Sequence, residues 1–77
     1  MRPHNKALGL IIRELRKNRS LTQETLAFRS GLDRTYISLI ELGQRSPTLD
    51  TLFDLCAALN ITPAEILFLV QKRLEEP

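Results

Sequence analysis

The 77-residue chain predicts an all-α fold of five short helices, on three observations. Apolar residues return at three- and four-residue spacing in segment after segment, and nowhere alternate with period two. Residues that open helices (Thr22, Asp33, Thr48 and Thr62) stand ahead of four of these segments. Gly31, Gly43 and Asn60 stand where helices would end, because the left-handed backbone that closes a helix favours glycine and tolerates asparagine.

The first helix is expected from about Asn5 to Asn18, with Leu8, Ile11, Ile12 and Leu15 on one buried stripe. The second follows Thr22, carries Glu24 in its first turn where the helix dipole favours an acid, and turns Leu26, Ala27 and Ser30 inward. Gly31 stops it. Asp33 caps a third helix whose inward positions are Ile37 and Ile40, and "GQRSP" from Gly43 to Pro47 is a loop. Thr48 caps the fourth, with Leu49, Leu52, Phe53, Cys56 and Leu59 as its apolar stripe. Thr62, Pro63 and Glu65 combine a cap, a first-turn proline and a capping-box acid, and start a fifth helix reaching about Glu75. In that helix Ile66, Leu67, Val70 and Leu74 share the face expected to close the core. With no repeat and no linker, residues 1–77 read as one compact domain.

Composition narrows the function classes. Apolar residues at 43% and charged residues at 26% describe an ordinary soluble protein rather than a disordered one. No apolar run exceeds five residues, the length of Ile66 to Val70, far short of the roughly 20 residues of a membrane span, and the N-terminus has no signal-peptide core. Cys56 is the only cysteine, so no internal disulfide exists and a reducing cytoplasm is the expected compartment. His4 lies near the N-terminus and Cys56 on an apolar stripe. No His/Cys/Asp/Glu set has metal spacing and no glycine-rich phosphate loop is present, so neither an enzyme nor a cofactor is expected. Charge is uneven: residues 1–35 hold eight Lys/Arg against three acids, net +5, whereas residues 36–77 hold three against six, net −3. The first half favours a polyanion.

Two short helices joined by a turn pivoting on Gly31 have the spacing of a helix-turn-helix, over about residues 22–42. Ala27 and Ser30 are small enough for the pair to cross closely. The outward face of the third helix holds Arg34, Thr35, Ser38, Leu39 and Leu42, without the Glu and Lys of a merely solvated face. "LTQETLA", the central Gly31 and "ISLIELG" together resemble the phage repressor/Cro-type (XRE-like) helix-turn-helix family over nearly the whole chain, with all five helices in order. The "LDRTYIS" segment is similar to restriction–modification controller proteins, a small branch of that family. Leu42 departs from the polar residue more usual before the following glycine.

The resemblance implies a repressor-like DNA-binding domain whose third helix enters the major groove of double-stranded DNA. Arg34 becomes the candidate for reading guanine through O6 and N7, against the alternative of a solvated arginine near Asp33. Thr35 and Ser38 could bond a base edge or a phosphate, and Leu39 could meet a thymine methyl or make a peripheral core contact. Gln23, Tyr36, Arg45, Ser46 and Thr48 are expected at phosphates, which fix register without reading sequence. Arg16 and Glu41 correspond to positions that form a buried ion pair in many relatives. Glu41 also neighbours Ile37 and Ile40 and needs a cation if it points inward.

Leu55, Phe68 and Leu69 fall outside the assigned core faces, and a monomer would leave them in water. A homodimer through residues 55–74 would cover them and set two third helices on successive turns of a palindromic operator. The reading is a homodimeric, sequence-specific transcriptional regulator in the cytoplasm with the nucleoid, with no small-molecule ligand implied. A restriction–modification controller is its narrower form. A toxin-binding antitoxin is the rival from another class, although few residues remain after Leu74 for a toxin-binding tail.

Overall fold

A computed structural model describes residues 2–76; Met1 and Pro77, included in the expected domain, lie outside the described residues. Among the described residues the chain forms five helices and no strand: α1 Pro3–Asn18, α2 Gln23–Ser30, α3 Arg34–Glu41, α4 Leu49–Leu59 and α5 Pro63–Glu75. α1 begins two residues earlier than the apolar pattern suggests, because Pro3 occupies its first turn, where a missing N–H is harmless.

The starts and stops are local chemistry. Thr22, Thr48 and Thr62 accept the backbone N–H of Thr25, Thr51 and Glu65 at 3.0, 3.1 and 3.1 Å, and Asp33 accepts that of Thr35 at 3.0 Å. Gly31 and Asn60 close α2 and α4 in the left-handed conformation, with φ of 71° and 55°. Ser20 does the same after α1 (φ 57°), a stop that its side chain does not advertise. The next residues, Leu21, Leu32 and Ile61, return backbone bonds to Arg16, Ala27 and Cys56 and pack their side chains on the core. Each stop thus also anchors an apolar side chain.

α1 packs on α3 and α5, α2 on α3 and α4, and α4 on α5. Ile12, Leu26, Ile37, Ile40, Leu55, Cys56, Leu59 and Ile66 are the most deeply buried side chains. Gly9 lets α1 cross the end of α3: a Cβ there would collide with the carbonyl of Ile40 and lie 2.6 Å from that of Glu41. The apolar pattern gave Gly9 no role.

Three expectations about faces need correction. On α4 the buried stripe is Leu52, Leu55, Cys56 and Leu59, while Leu49 and Phe53 are exposed. Both phases satisfy a three-four spacing and differ by a rotation of about 45° at 100° per residue; packing against α2 and α5 selects the second. Leu55 is therefore core, fully buried within the monomer, and cannot be surface held in reserve for a dimer. On α5 only Ile66 and Val70 are buried, with Leu67 and Leu74 about half exposed.

Candidate nucleic-acid interface

The helix-turn-helix is held at its open end by a polar cluster. Arg16, from the last turn of α1, donates Nε to Glu41 Oε2 at 2.7 Å and Nη2 to Glu41 Oε1 at 3.0 Å. Its Nη1 donates to the carbonyl of Leu21 at 2.9 Å, which ties the α1–α2 loop to the same point. Gln23, the first residue of α2, donates Nε2 to Glu41 Oε1 at 3.1 Å. One carboxylate at the end of α3 thus gathers α1, the loop and α2. Arg16 and Glu41 are both buried, and the hydrogen bonding that Arg16 donates to Glu41 raises the pKa of its guanidinium above its ordinary value although burial opposes it. Among the described residues no buried side-chain nitrogen or oxygen lacks a hydrogen-bond partner. This pairing makes the burial of two charges tolerable.

At the other end Ser30 bends its hydroxyl back to the carbonyl of Leu26 at 2.7 Å, so a polar residue fills the tight α2–α3 crossing without an unmet donor. Gly31 and the Asp33 cap then launch α3 with Arg34 and Thr35 in solvent on its first turn.

The residues expected at DNA fall into two groups. Arg34, Thr35, Arg45, Ser46 and Thr48 are exposed, whereas Gln23, Tyr36, Ser38 and Leu39 are half-buried. Arg34 lies not against Asp33, whose carboxylate accepts the amide of Thr35, but 3.8 Å from Glu24 Oε1 through its Nε. Tyr36 packs partly against the core. Thr48 Oγ1 accepts from the Thr51 amide and donates to Thr51 Oγ1 at 3.0 Å. Gln23 has a structural partner as well, since its amide bonds Glu41. That link joins residues on different helices and has no signature in the spacing of either one.

A second surface, on α5, is partly apolar. Phe68 is 60% and Leu69 38% exposed on α5. They border an open groove against α1 lined also by Ile11 and Leu15, across which Arg73 bonds both carboxylate oxygens of Glu14 at 2.9 and 3.1 Å. Cys56 is buried, and desolvation pushes its thiol pKa up, the opposite of a reactive thiolate. Among the described residues no cluster of His, Cys, Asp or Glu could hold a metal ion, and no single helix is long and apolar enough to cross a membrane.

Comparison with known proteins gives a consistent picture. The family model described as helix-turn-helix matches residues 12–66. Control protein C.BamHI of Bacillus amyloliquefaciens is 42% identical over 60 residues, covering 77% of this chain and 74% of its own. The crystal structure of the restriction–modification controller protein C.AhdI from Aeromonas hydrophila superposes with a TM-score of 0.79 at 47% identity, over 80% of this chain and 94% of that one. The controller protein C.Esp1396I, as a tetramer in complex with its natural 35-base-pair operator, gives a TM-score of 0.89 at 29% identity, covering 99% of this chain and all of that one. With its capped α2–Gly31–α3 unit and this match, the chain belongs to the helix-turn-helix family, as a DNA-binding transcriptional regulator.

Proposed function

We propose that this regulator binds a palindromic operator as a homodimer, with α3 in the major groove and the outward face of α5 at the two-fold axis. The observation that carries the reading is the outer surface of α3 and the loop after it. Arg34, Thr35, Arg45 and Ser46 are all in solvent there, and the Arg16–Glu41–Gln23 cluster fixes the angle of the helices beneath. Arg34 has the fork that bonds guanine O6 and N7, Thr35 and Ser38 have short hydroxyls, and Leu39 presents an edge to a thymine methyl. Arg45, Ser46 and Tyr36 are suited to phosphates. Gln23 retains its side-chain oxygen and one N–H beyond the Glu41 bond, and Thr48 has its main chain.

Phe68 and Leu69 expose apolar surface on the outward face of α5, and Leu55 belongs to the core rather than to the interface. A dimer at this face matches the two-fold symmetry of a palindrome. Relatives that are control proteins, one of them a tetramer on its operator, favour the narrower reading of a restriction–modification controller. Work on the chromosome implies a cytoplasmic, nucleoid-associated protein with no catalytic role.

Selection of bound duplex from a random pool, followed by sedimentation of protein alone and with the selected site, tests the reading. It expects an inverted repeat with half-sites about one helical turn apart, or a multiple of it, and two chains per repeat. Enrichment of a single unrepeated site bound by one chain would refute it.

A further inference from the structure

We propose that Glu24 sharpens the base specificity of Arg34: its carboxylate faces the Nε side of the guanidinium and biases the fork toward the matching base, while its charge weakens binding to DNA of any sequence. This rests on the reading of Arg34 as base reader. Arg34 Nε lies 3.8 Å from Glu24 Oε1, with the two side chains 62% and 78% exposed. That distance is too long for a hydrogen bond, and an exposed pair adds little to folding. The other two acids of the helix-turn-helix are already engaged, Glu41 by Arg16 and Gln23 and Asp33 by the Thr35 amide. Glu24 is thus the one acid of this unit whose side chain is bonded to neither core nor backbone among the described residues.

The geometry has two consequences at a DNA surface. A carboxylate on the Nε side leaves Nη1 and Nη2, the forked donors suited to guanine O6 and N7, directed away from it. A guanidinium biased toward this orientation by the nearby charge loses less rotamer freedom when it binds. Glu24 also places a negative charge on the first turn of α2, beside a phosphate backbone that repels it whatever the sequence. The repulsion acts on every sequence alike, whereas the orientation of the fork is used only on the matching base, so the carboxylate widens the difference between the right complex and the wrong ones.

Glu24→Gln keeps the size and removes the charge. Binding would be measured at one salt concentration to three duplexes: the selected operator, that operator changed at the base pair where Arg34→Ala relaxes preference, and an unrelated duplex. Expected are a fall of about two- to fivefold in discrimination at that base pair, tighter binding to the unrelated duplex, and unchanged preference elsewhere. In an Arg34→Ala background the same substitution should alter the first two duplexes equally. Loss of first-turn helix stabilisation alone would lower the melting temperature without changing base discrimination, and that result overturns the proposal. So does a discrimination change that persists without Arg34. If Arg34→Ala itself leaves base preference intact, the reading of Arg34 fails and the proposal falls with it.

Discussion

The α2–α3 half and the α4–α5 half of this small protein solve opposite surface problems. On α2–α3 the outward residues are mostly polar or charged, with Phe28 and Leu42 as the apolar exceptions, and the buried carboxylate of Glu41 is fully partnered by Arg16 and Gln23. On α4–α5 the outward residues include Phe53, Leu67, Phe68 and Leu74, and the tie from α5 to α1 is the partly exposed Glu14–Arg73 pair. A polar surface over an ionic anchor keeps its geometry in water and can be aimed at a charged ligand. An apolar surface gains by being covered. The difference teaches that changes to exposed residues of the first half should alter recognition, and changes to exposed residues of the second should alter assembly, with folding depending on the residues beneath each.

The largest expected effect would break the first half at its anchor. Glu41→Ala should destabilise the domain by about 3–5 kcal/mol, because it leaves the buried Arg16 guanidinium unpaired. Denaturant melts of Glu41→Ala, Arg16→Ala and the double variant should reveal strong coupling; additive losses would mean the pair is not energetically linked. Gln23→Ala, which removes one bond to the same carboxylate, should give a smaller loss of stability besides any loss of DNA affinity.

Contrasting a buried with an exposed residue in the second half sharpens the comparison. Leu55→Ala should cost about 2–5 kcal/mol as a core cavity, whereas Phe68→Asp and Leu69→Asp should leave a folded chain that sediments as a monomer and binds the operator far more weakly. An unfolded Phe68→Asp protein, or one that stays dimeric, would argue against α5 as the interface. Gly9→Ala tests the α1–α3 crossing that bridges the halves. The added methyl meets backbone rather than a movable side chain, so a loss of about 1–3 kcal/mol is expected despite alanine's better helix propensity.

Recognition effects are of similar or smaller size. Arg34→Ala should weaken cognate binding by about 1–3 kcal/mol and relax preference at one base pair per half-site. Arg45→Ala should weaken all sequences alike and reduce the salt slope by about one. The smallest effect belongs to Cys56. Burial raises its thiol pKa, so the folded state holds the proton more tightly than the unfolded one. Stability from this source is intact below the ordinary thiol value of about 8.5 and declines as pH rises through the folded-state pKa. Cys56→Ala should remove that slope, and native Cys56 should react slowly with thiol reagents until the protein unfolds.

Much of this was determined by the sequence itself, because its signals are local. Thr22, Asp33, Thr48 and Thr62 cap their own helices, and Gly31 and Asn60 end theirs, through bonds closed within a few residues. The helix-turn-helix and the exposed first turn of α3 follow from these signals. The meeting of Arg16 with Glu41 was legible from the need of an inward carboxylate for a cation and from the family pattern. What only the tertiary structure decided is how far each helix turns about its own axis. Helical spacing defines a stripe but not its centre where apolar residues abound, so LDTLFDLCAAL admits two inward faces. Its neighbours α2 and α5 bury Leu55 and release Leu49 and Phe53. The tertiary structure likewise decided that Gly9 lies under the end of α3, that Gln23 bonds Glu41, and that Glu24 rather than Asp33 faces Arg34. Each joins residues on different helices, and distances between helices are set by packing, which no spacing within one helix encodes.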